Sequence, residues 1–205
     1  MVPKTTPVTN RPTAPRGKHS RELRIIAGLW RGRRWRFPDL GAAREGLRPT
    51  PDRVRETLFN WLQPKIAGAR CLDLFAGSGA LGLEAVSRGA ASAVFVESDK
   101  RTATAISELA EQWGANAVTV EQCRAADFLA RKPVAFNLVF LDPPFAAGLL
   151  EATAAALMRG WLATGALIYV ERAGVEAQPT LPTTWQLLKQ GSAGAVSYHL
   201  YHHNA

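Results

Sequence analysis

A mostly parallel α/β sheet covered by helices on both faces is the fold class that this 205-residue sequence predicts. From Cys71 onward, short apolar runs alternate with helix-like segments, the pattern of strands buried on both faces. A glycine-rich loop, AGSGALG, follows the first of those runs, where an open α/β sheet places its ligand. The closing stretch, 184–203, holds two strand-like runs around a glycine-containing turn with no helix between them, so an antiparallel hairpin completes a sheet of seven strands.

The elements follow in order. Residues 1–22 are rich in Pro, Thr and basic residues without apolar periodicity, and are expected to be a disordered basic tail. LRIIAGLW and RGRRWRF, from Leu23, alternate bulky and basic residues around Gly28 and Gly32, as a hairpin does. The result is a basic ribbon carrying Trp30, Trp35 and Phe37, and residues 23–50 are taken as an N-terminal extension made of this hairpin and an RPT segment. In RPTPDRVRETLFNWL, Thr50 suits an N-cap, Pro51 the first helical position and Asp52 the first turn. Val54, Leu58, Trp61 and Leu62 share one face at helical spacing, which gives a helix over 51–63. The main domain, 51–205, then runs CLDLF, a helix to Arg88 stopped by Gly89, AVFVE, a helix over 100–112, AVTVE, a short helix over 125–131, FNLVFLD, a helix over 147–158, and ALIYVE.

Composition narrows the classes. At 47% hydrophobic residues the chain can bury one sizeable core. No apolar stretch approaches the ~18 residues of a bilayer span, and the N-terminus has no apolar block of the signal-peptide kind, so a soluble cytoplasmic protein is expected. Cys71 and Cys123, unclustered and beside strand-like runs, form neither a disulfide framework nor a zinc site, and are expected as core or near-core thiols. His199, His202 and His203 have no fourth ligand nearby in the sequence, so no metal is expected. The net charge of +8 is uneven: residues 1–56 hold 14 Lys and Arg against 5 Asp and Glu, the remainder 11 against 12. The asymmetry points to a polyanion-binding appendage on a near-neutral domain.

Three strand runs end on an acid: Asp73, Glu97 and Asp142. GSGALG, Gly77 to Gly82, matches G-x-G-x-x-G, with Glu97 at the spacing of an acid that grips a ribose. Asp73, four residues ahead of the first glycine, would repel a pyrophosphate, which disfavours a NAD enzyme. A ligand with ammonium and sulfonium charges suits it, and S-adenosylmethionine has both, plus a ribose diol for Glu97. In VFLDPPF, proline forces the chain out of the sheet after Asp142. The Asp142 carboxylate beside the Pro143 carbonyl makes two acceptors at a set separation, fitted to the two N–H bonds of an exocyclic amine. Pro144 stiffens the turn and Phe145 is placed to stack on a base, which must be unpaired or flipped to enter.

DLFAGSGALG, VES and LDPPF together resemble a Rossmann-like class I S-adenosylmethionine-dependent methyltransferase of the amino-methylating kind. RIIAGLWRGRRWRFP, RPTPDRVRETLFNWL, CLDLFAGSGALGLEAVSRGA and VFLDPPF, in that order from about Arg24, resemble the RsmD family, bacterial enzymes that methylate a guanine N2 of 16S ribosomal RNA. The resemblance implies that Asp73, Phe75, Gly77, Ser78 and Gly79 line the methionine end of the cofactor, that Glu97 and Ser98 hold the ribose, and that Asp142 to Phe145 hold the base. Backbone near Arg124 and Ala125 is expected at the adenine, because QCRAAD lacks the acid that many class I enzymes carry there. Arg31, Arg33, Arg34, Arg36, Arg48, Arg53 and Arg55 are expected to contact RNA. The partner implied is 16S ribosomal RNA or the small subunit, met by a monomer without metal or membrane. The rivals are a DNA adenine N6-methyltransferase, for which the chain lacks room for a target-recognition domain, and a non-catalytic assembly factor, which the intact glycine loop and DPPF oppose.

Overall fold

In the computed structural model, residues 21–37, 50–144, 149–174 and 179–204 are described. The expected tail over 1–20, Arg48 and Phe145 lie outside the described residues. A two-stranded antiparallel ribbon, β1 (Arg21–Arg24) and β2 (Arg34–Phe37), pairs Leu23 with Trp35. Arg21 and Glu22, assigned by sequence to the tail, are therefore the first residues of a strand.

The main sheet contains β3 (Arg70–Asp73), β4 (Ser92–Val96), β5 (Val118–Glu121), β6 (Phe136–Leu141), β7 (Leu162–Ala173), β8 (Trp185–Ala193) and β9 (Val196–His203). Its order is β5-β4-β3-β6-β7-β9-β8, with β9 alone running against its neighbours. The order reverses between β3 and β6, the point where a doubly wound sheet opens a crevice beyond its carboxyl ends. Helices α1 (Asp52–Ile66), α2 (Ala80–Ser87), α3 (Lys100–Gln112), α4 (Ala125–Leu129) and α5 (Leu149–Leu157) cover it.

Strand alternation divides the core in two. Cys71, Phe95, Phe140 and Tyr169 share one cluster with α1, α2, α3 and the ribbon, while Leu72, Val96, Val139, Ile168 and Val170 share the other with Trp161 and Trp185. Two residues beyond Cys71, Phe95, Phe140 and Tyr169 stand Asp73, Glu97, Asp142 and Glu171. The period of two thus assigns all four acids to the same sheet face. The register agrees: Asp73 pairs with Phe95 and Phe140, and Leu141 with Val170, one residue before Asp142 and Glu171.

The ribbon is built into this core. Leu23, Ile25, Trp30 and Trp35 are buried in the same cluster as α1 and α2, so the N-terminal extension shares the main domain's interior. Trp30 and Trp35 pack on Trp113, with ring centroids 5.3 and 5.8 Å away. The buried Glu84 carboxylate accepts the backbone N–H groups of Ile26 and Ala27 at 2.8 and 3.0 Å. Ser87 Oγ accepts from Trp30 N and donates to the Ala27 carbonyl. Gly28, at φ +85°, passes so close that a Cβ there would lie 1.8 Å from the Ser87 carbonyl oxygen, a position only glycine can hold.

Helix α1 departs from the expectation at both ends. It continues through Pro64 to Ile66, whose side chain is buried. At the start, Pro51 is the cap residue and no side chain caps the helix. The Thr50 hydroxyl, expected to cap, instead donates to Glu171 Oε1 at 2.8 Å. Among the described residues, no helix is long and apolar enough to cross a membrane.

Candidate active site

The four acids at the carboxyl rim have different partners. Asp73 is buried and accepts the Gly82 N–H at 3.1 Å, which ties β3 to the first turn of α2. Burial raises its carboxyl to about 7, against the pull of that N–H and with help from the charges of Glu97 and Glu171. Glu97, also buried, accepts Gly77 N at 3.0 Å and Asp99 N at 2.7 Å, so one carboxylate joins the glycine loop to the start of α3. Asp142 is pushed well above the ordinary aspartate range, first by burial and then by Glu171 and Asp73. Burial likewise raises Glu171, while hydroxyl bonds from Tyr169 (2.7 Å) and Thr50 hold it back. Of the neighbouring pair, Glu171 has two hydroxyl donors that favour its charged form, and the Asp142 carboxyl is raised further above its ordinary value.

A concentration of carboxyl groups at a largely buried rim is costly, and it fits a ligand that brings positive charge. A small cavity joins Asp73, Phe75, Gly77, Ser78 and Asp142 to Phe37 of the ribbon and to Thr50. Asp73, Asp142 and the glycine loop therefore line one space, together with Phe37 and Thr50, whereas Glu97 is not among its lining residues and reaches the loop through its bond to Gly77. Gly82 is needed for packing: a Cβ would stand 2.4 Å from the Phe95 ring. Trp35 Nε1 donates to the Ser78 carbonyl at 3.2 Å, so the ribbon touches the glycine loop directly. A second cleft, lined by Arg34, Arg36, Glu108 and Gln112, meets the first at Phe37 and Ser78.

The remaining predicted residues are distributed around this space. Pro143 is buried and Pro144 exposed, and Ser98 is exposed just past β4. The Arg124 side chain forms a fork with Asp127 at 2.8 and 3.0 Å, leaving its backbone and that of Ala125 at the start of α4. Arg31, Arg33, Arg34, Arg36 and Arg53 are exposed. Arg34 pairs with Glu22 at 2.7 Å, and the Arg33 guanidinium lies 5.6 Å over the Trp113 ring. Arg55 corrects the expectation of an RNA contact. It is fully buried, donating to the Arg24 carbonyl at 2.9 Å and to Asp52 at 2.6 Å, with Glu84 at 3.6 Å, so it is an internal strut that no phosphate can reach. Cys71 is buried and its thiol pushed up to about 12; Cys123 is half-buried and also raised by burial.

Glu171 and Thr50 were missed by the sequence analysis. The signal for Glu171 was present, since ALIYVE ends on an acid as the other three runs do. Thr50 lay in the quoted RPT segment and was assigned to a helix cap.

Known proteins share this fold. A family described as conserved hypothetical protein 95 matches residues 23–202. The chain is 51% identical over 193 residues to ribosomal RNA small subunit methyltransferase D of Escherichia coli strain K12, covering 93% of this chain and 95% of that protein. It is 46% identical over 185 residues to the protein of the same name from Haemophilus influenzae, covering 88% and 93%. Among solved structures, the Escherichia coli protein yhhF superposes with a TM-score of 0.83 at 47% identity, over 90% of this chain and 99% of that one. An RNA methyltransferase from Salinibacter ruber, solved with S-adenosyl-L-homocysteine, shares the fold alone, with a TM-score of 0.58 at 15% identity over 77% and 94% of the two chains.

Proposed function

This chain belongs to the RsmD family, and from that premise we propose that it methylates the exocyclic N2 amine of a guanine in 16S ribosomal RNA with S-adenosylmethionine as donor. The observation that carries the reading is the single cavity shared by Asp73, the glycine loop and Asp142, because it brings a cation-seeking pocket against the acid of the DPPF turn.

The cofactor supplies an electrophilic methyl group on a sulfonium and leaves as a neutral thioether. Asp73 offsets positive charge at the methionine end, Glu97 and Ser98 face the ribose, and backbone at Arg124 and Ala125 borders the adenine. Asp142 and the Pro143 carbonyl accept the two N–H bonds of the target amine, which favours a pyramidal nitrogen with its lone pair free. As N2 takes up the methyl group it sheds a proton, and Asp142, whose carboxyl already sits high, is the group to receive it. In this reading Pro144 stiffens the turn and Phe145 stacks on the base. Transfer from sulfur to nitrogen is direct and needs no cysteine nucleophile, because the amine nitrogen supplies the electron pair itself.

Arg31, Arg33, Arg34, Arg36, Arg48 and Arg53 supply phosphate contacts in this reading, and the cleft beside the ribbon leads RNA to the pocket. The protein acts as a monomer in the cytoplasm, and residues 1–20 are dispensable for catalysis. Mass-spectrometric mapping of methylated nucleosides in ribosomal RNA from cells with and without the gene tests the assignment. Loss of one N2-methylguanine from 16S RNA is expected. Unchanged ribosomal RNA with loss of N6-methyladenine from the DNA of the same cells would replace it with the DNA adenine rival.

A further inference from the structure

The Thr50 hydroxyl has one proton to give, and it gives it to Glu171 Oε1 at 2.8 Å. Glu171 holds Thr50 from the neighbouring strand, and a second hydroxyl, that of Tyr169, bonds to the same oxygen at 2.7 Å. Both contacts are buried, and the Thr50 residue also lines the cavity that contains Asp142 and the glycine loop. A hydroxyl whose proton is committed behind it can offer only lone pairs in front. Thr50 is thereby converted from an ambivalent group into an acceptor at the wall of the pocket.

Guanine and adenine differ at the edge such a group would meet. Beside the reacting amine, guanine carries N1–H, a donor, whereas adenine carries a bare N1, an acceptor. An acceptor next to Asp142 pairs with the first and opposes the second. Resting on the guanine N2 reading above, we propose that Thr50 is the specificity-determining residue that accepts the N1–H of the target guanine, and that Glu171 is the positioning residue that fixes the Thr50 hydroxyl as an acceptor. Asp142 and Thr50 then form a pair of acceptors matched to the N2–H and N1–H donors of one base edge. The same pair leaves any base with a lone pair at N1 facing another lone pair across a buried site, a mismatch that hydrogen-bonding pockets reject strongly.

The alternative role for this contact is mechanical, in which the Thr50–Glu171 bond only pins the segment ahead of α1 onto β7. The two roles separate with a base analogue. In 2-aminopurine the exocyclic 2-amine is kept while N1 loses its hydrogen. The experiment uses full-length 16S RNA ligated from a synthetic segment that carries guanine or 2-aminopurine at the methylated position, assembled into subunits, with methyl transfer measured for each.

The wild-type chain is expected to favour guanine by up to about 10²-fold in kcat/KM, the order of discrimination that follows from leaving one buried acceptor unsatisfied. Thr50→Val, which keeps the shape and removes the hydroxyl, should bring the two substrates to within a few-fold of one another, chiefly through loss on guanine. Thr50→Ser should restore the preference, and Glu171→Gln should lie between. Binding of S-adenosylhomocysteine, followed by calorimetry, should be the same in the wild-type and Thr50→Val proteins, which shows that the pocket is intact. A Thr50→Val protein that binds S-adenosylhomocysteine normally and retains the wild-type preference for guanine overturns the proposal. If the wild-type protein methylates no guanine N2 at this position at all, the functional reading falls and not merely the role of Thr50.

Discussion

Arg55 and Glu84 face each other with no solvent exposure of either side chain, Nη1 of one 3.6 Å from Oε2 of the other. The pair joins α1 to α2, and Glu84 at the same time satisfies two backbone N–H groups of the ribbon. Removing one member of such a pair leaves a buried charge unmatched. Glu84→Ala is expected to lower stability by about 3 to 5 kcal/mol in a urea titration followed by circular dichroism. Glu84→Gln, which keeps an acceptor for one N–H, should cost less. An Ala variant as stable as wild type would show that the strut carries no net energy.

Asp142→Ala removes an acceptor from the reacting amine, so single-turnover transfer should fall by ~10² or more while S-adenosylhomocysteine binding holds. Asp142→Asn keeps one oxygen and should retain part of the rate. Because burial and Glu171 raise the Asp142 carboxyl, its acceptor form is filled only as pH rises. Transfer in the wild-type protein should therefore climb with pH well above the range of an ordinary aspartate. A rate flat from pH 5 to 9 would remove Asp142 from the proton balance.

The raised carboxyls also set a direction for stability. Asp73 moves from an ordinary value of 3.8 when unfolded to about 7 when folded, so between these values the native state binds more protons than the unfolded one. Its contribution is complete below the lower value and is lost as pH rises through the upper. Without ligand, the protein is expected to lose stability from about pH 4 to pH 7 through this group, and Asp73→Asn should flatten that part of the curve. Melting curves across the window, wild type against variant, check it.

Exposed Arg31 and Arg36 have no carboxylate partner among the described contacts, so both are free to meet phosphate. Substituting both by Ala should reduce the salt slope of RNA binding by about two, one for each contact, with cofactor affinity unchanged. Filter binding at several salt concentrations measures it. An unaltered slope would move the RNA interface away from the ribbon.

Much of this was legible from short-range pattern. Alternation with period two made CLDL, VFVE and VFLD strands, and their terminal acids marked the rim, because burial of every second residue is a local constraint. The identity of long-range partners was not. Glu171 carries the same signature in IYVE, but β7 continues to Ala173 instead of breaking there, and the partner that gives it meaning, Thr50, is 121 residues away. Arg55 was assigned by charge although it lies three, four and seven residues before Leu58, Phe59 and Leu62, the spacing of the buried face. Trp30 and Trp35 looked like ornaments of a basic ribbon; their partner Trp113 lies at the far end of α3, a contact no local rule could anticipate.

The ribbon's docking has a consequence for how the chain is made. A nascent polypeptide leaves the ribosome N-terminus first, yet the ribbon's anchors on α2 lie 57 and 58 residues downstream, and Thr50 waits for an anchor 121 residues later. Until α2 emerges, Trp30 and Trp35 have no surface to cover, and until β7 emerges the wall of the base pocket is incomplete. Contacts of such sequence separation form slowly and late. The earliest-made part of the molecule is thus among the last to find its place, and competence for methyl transfer arrives only when nearly the whole chain has been synthesised.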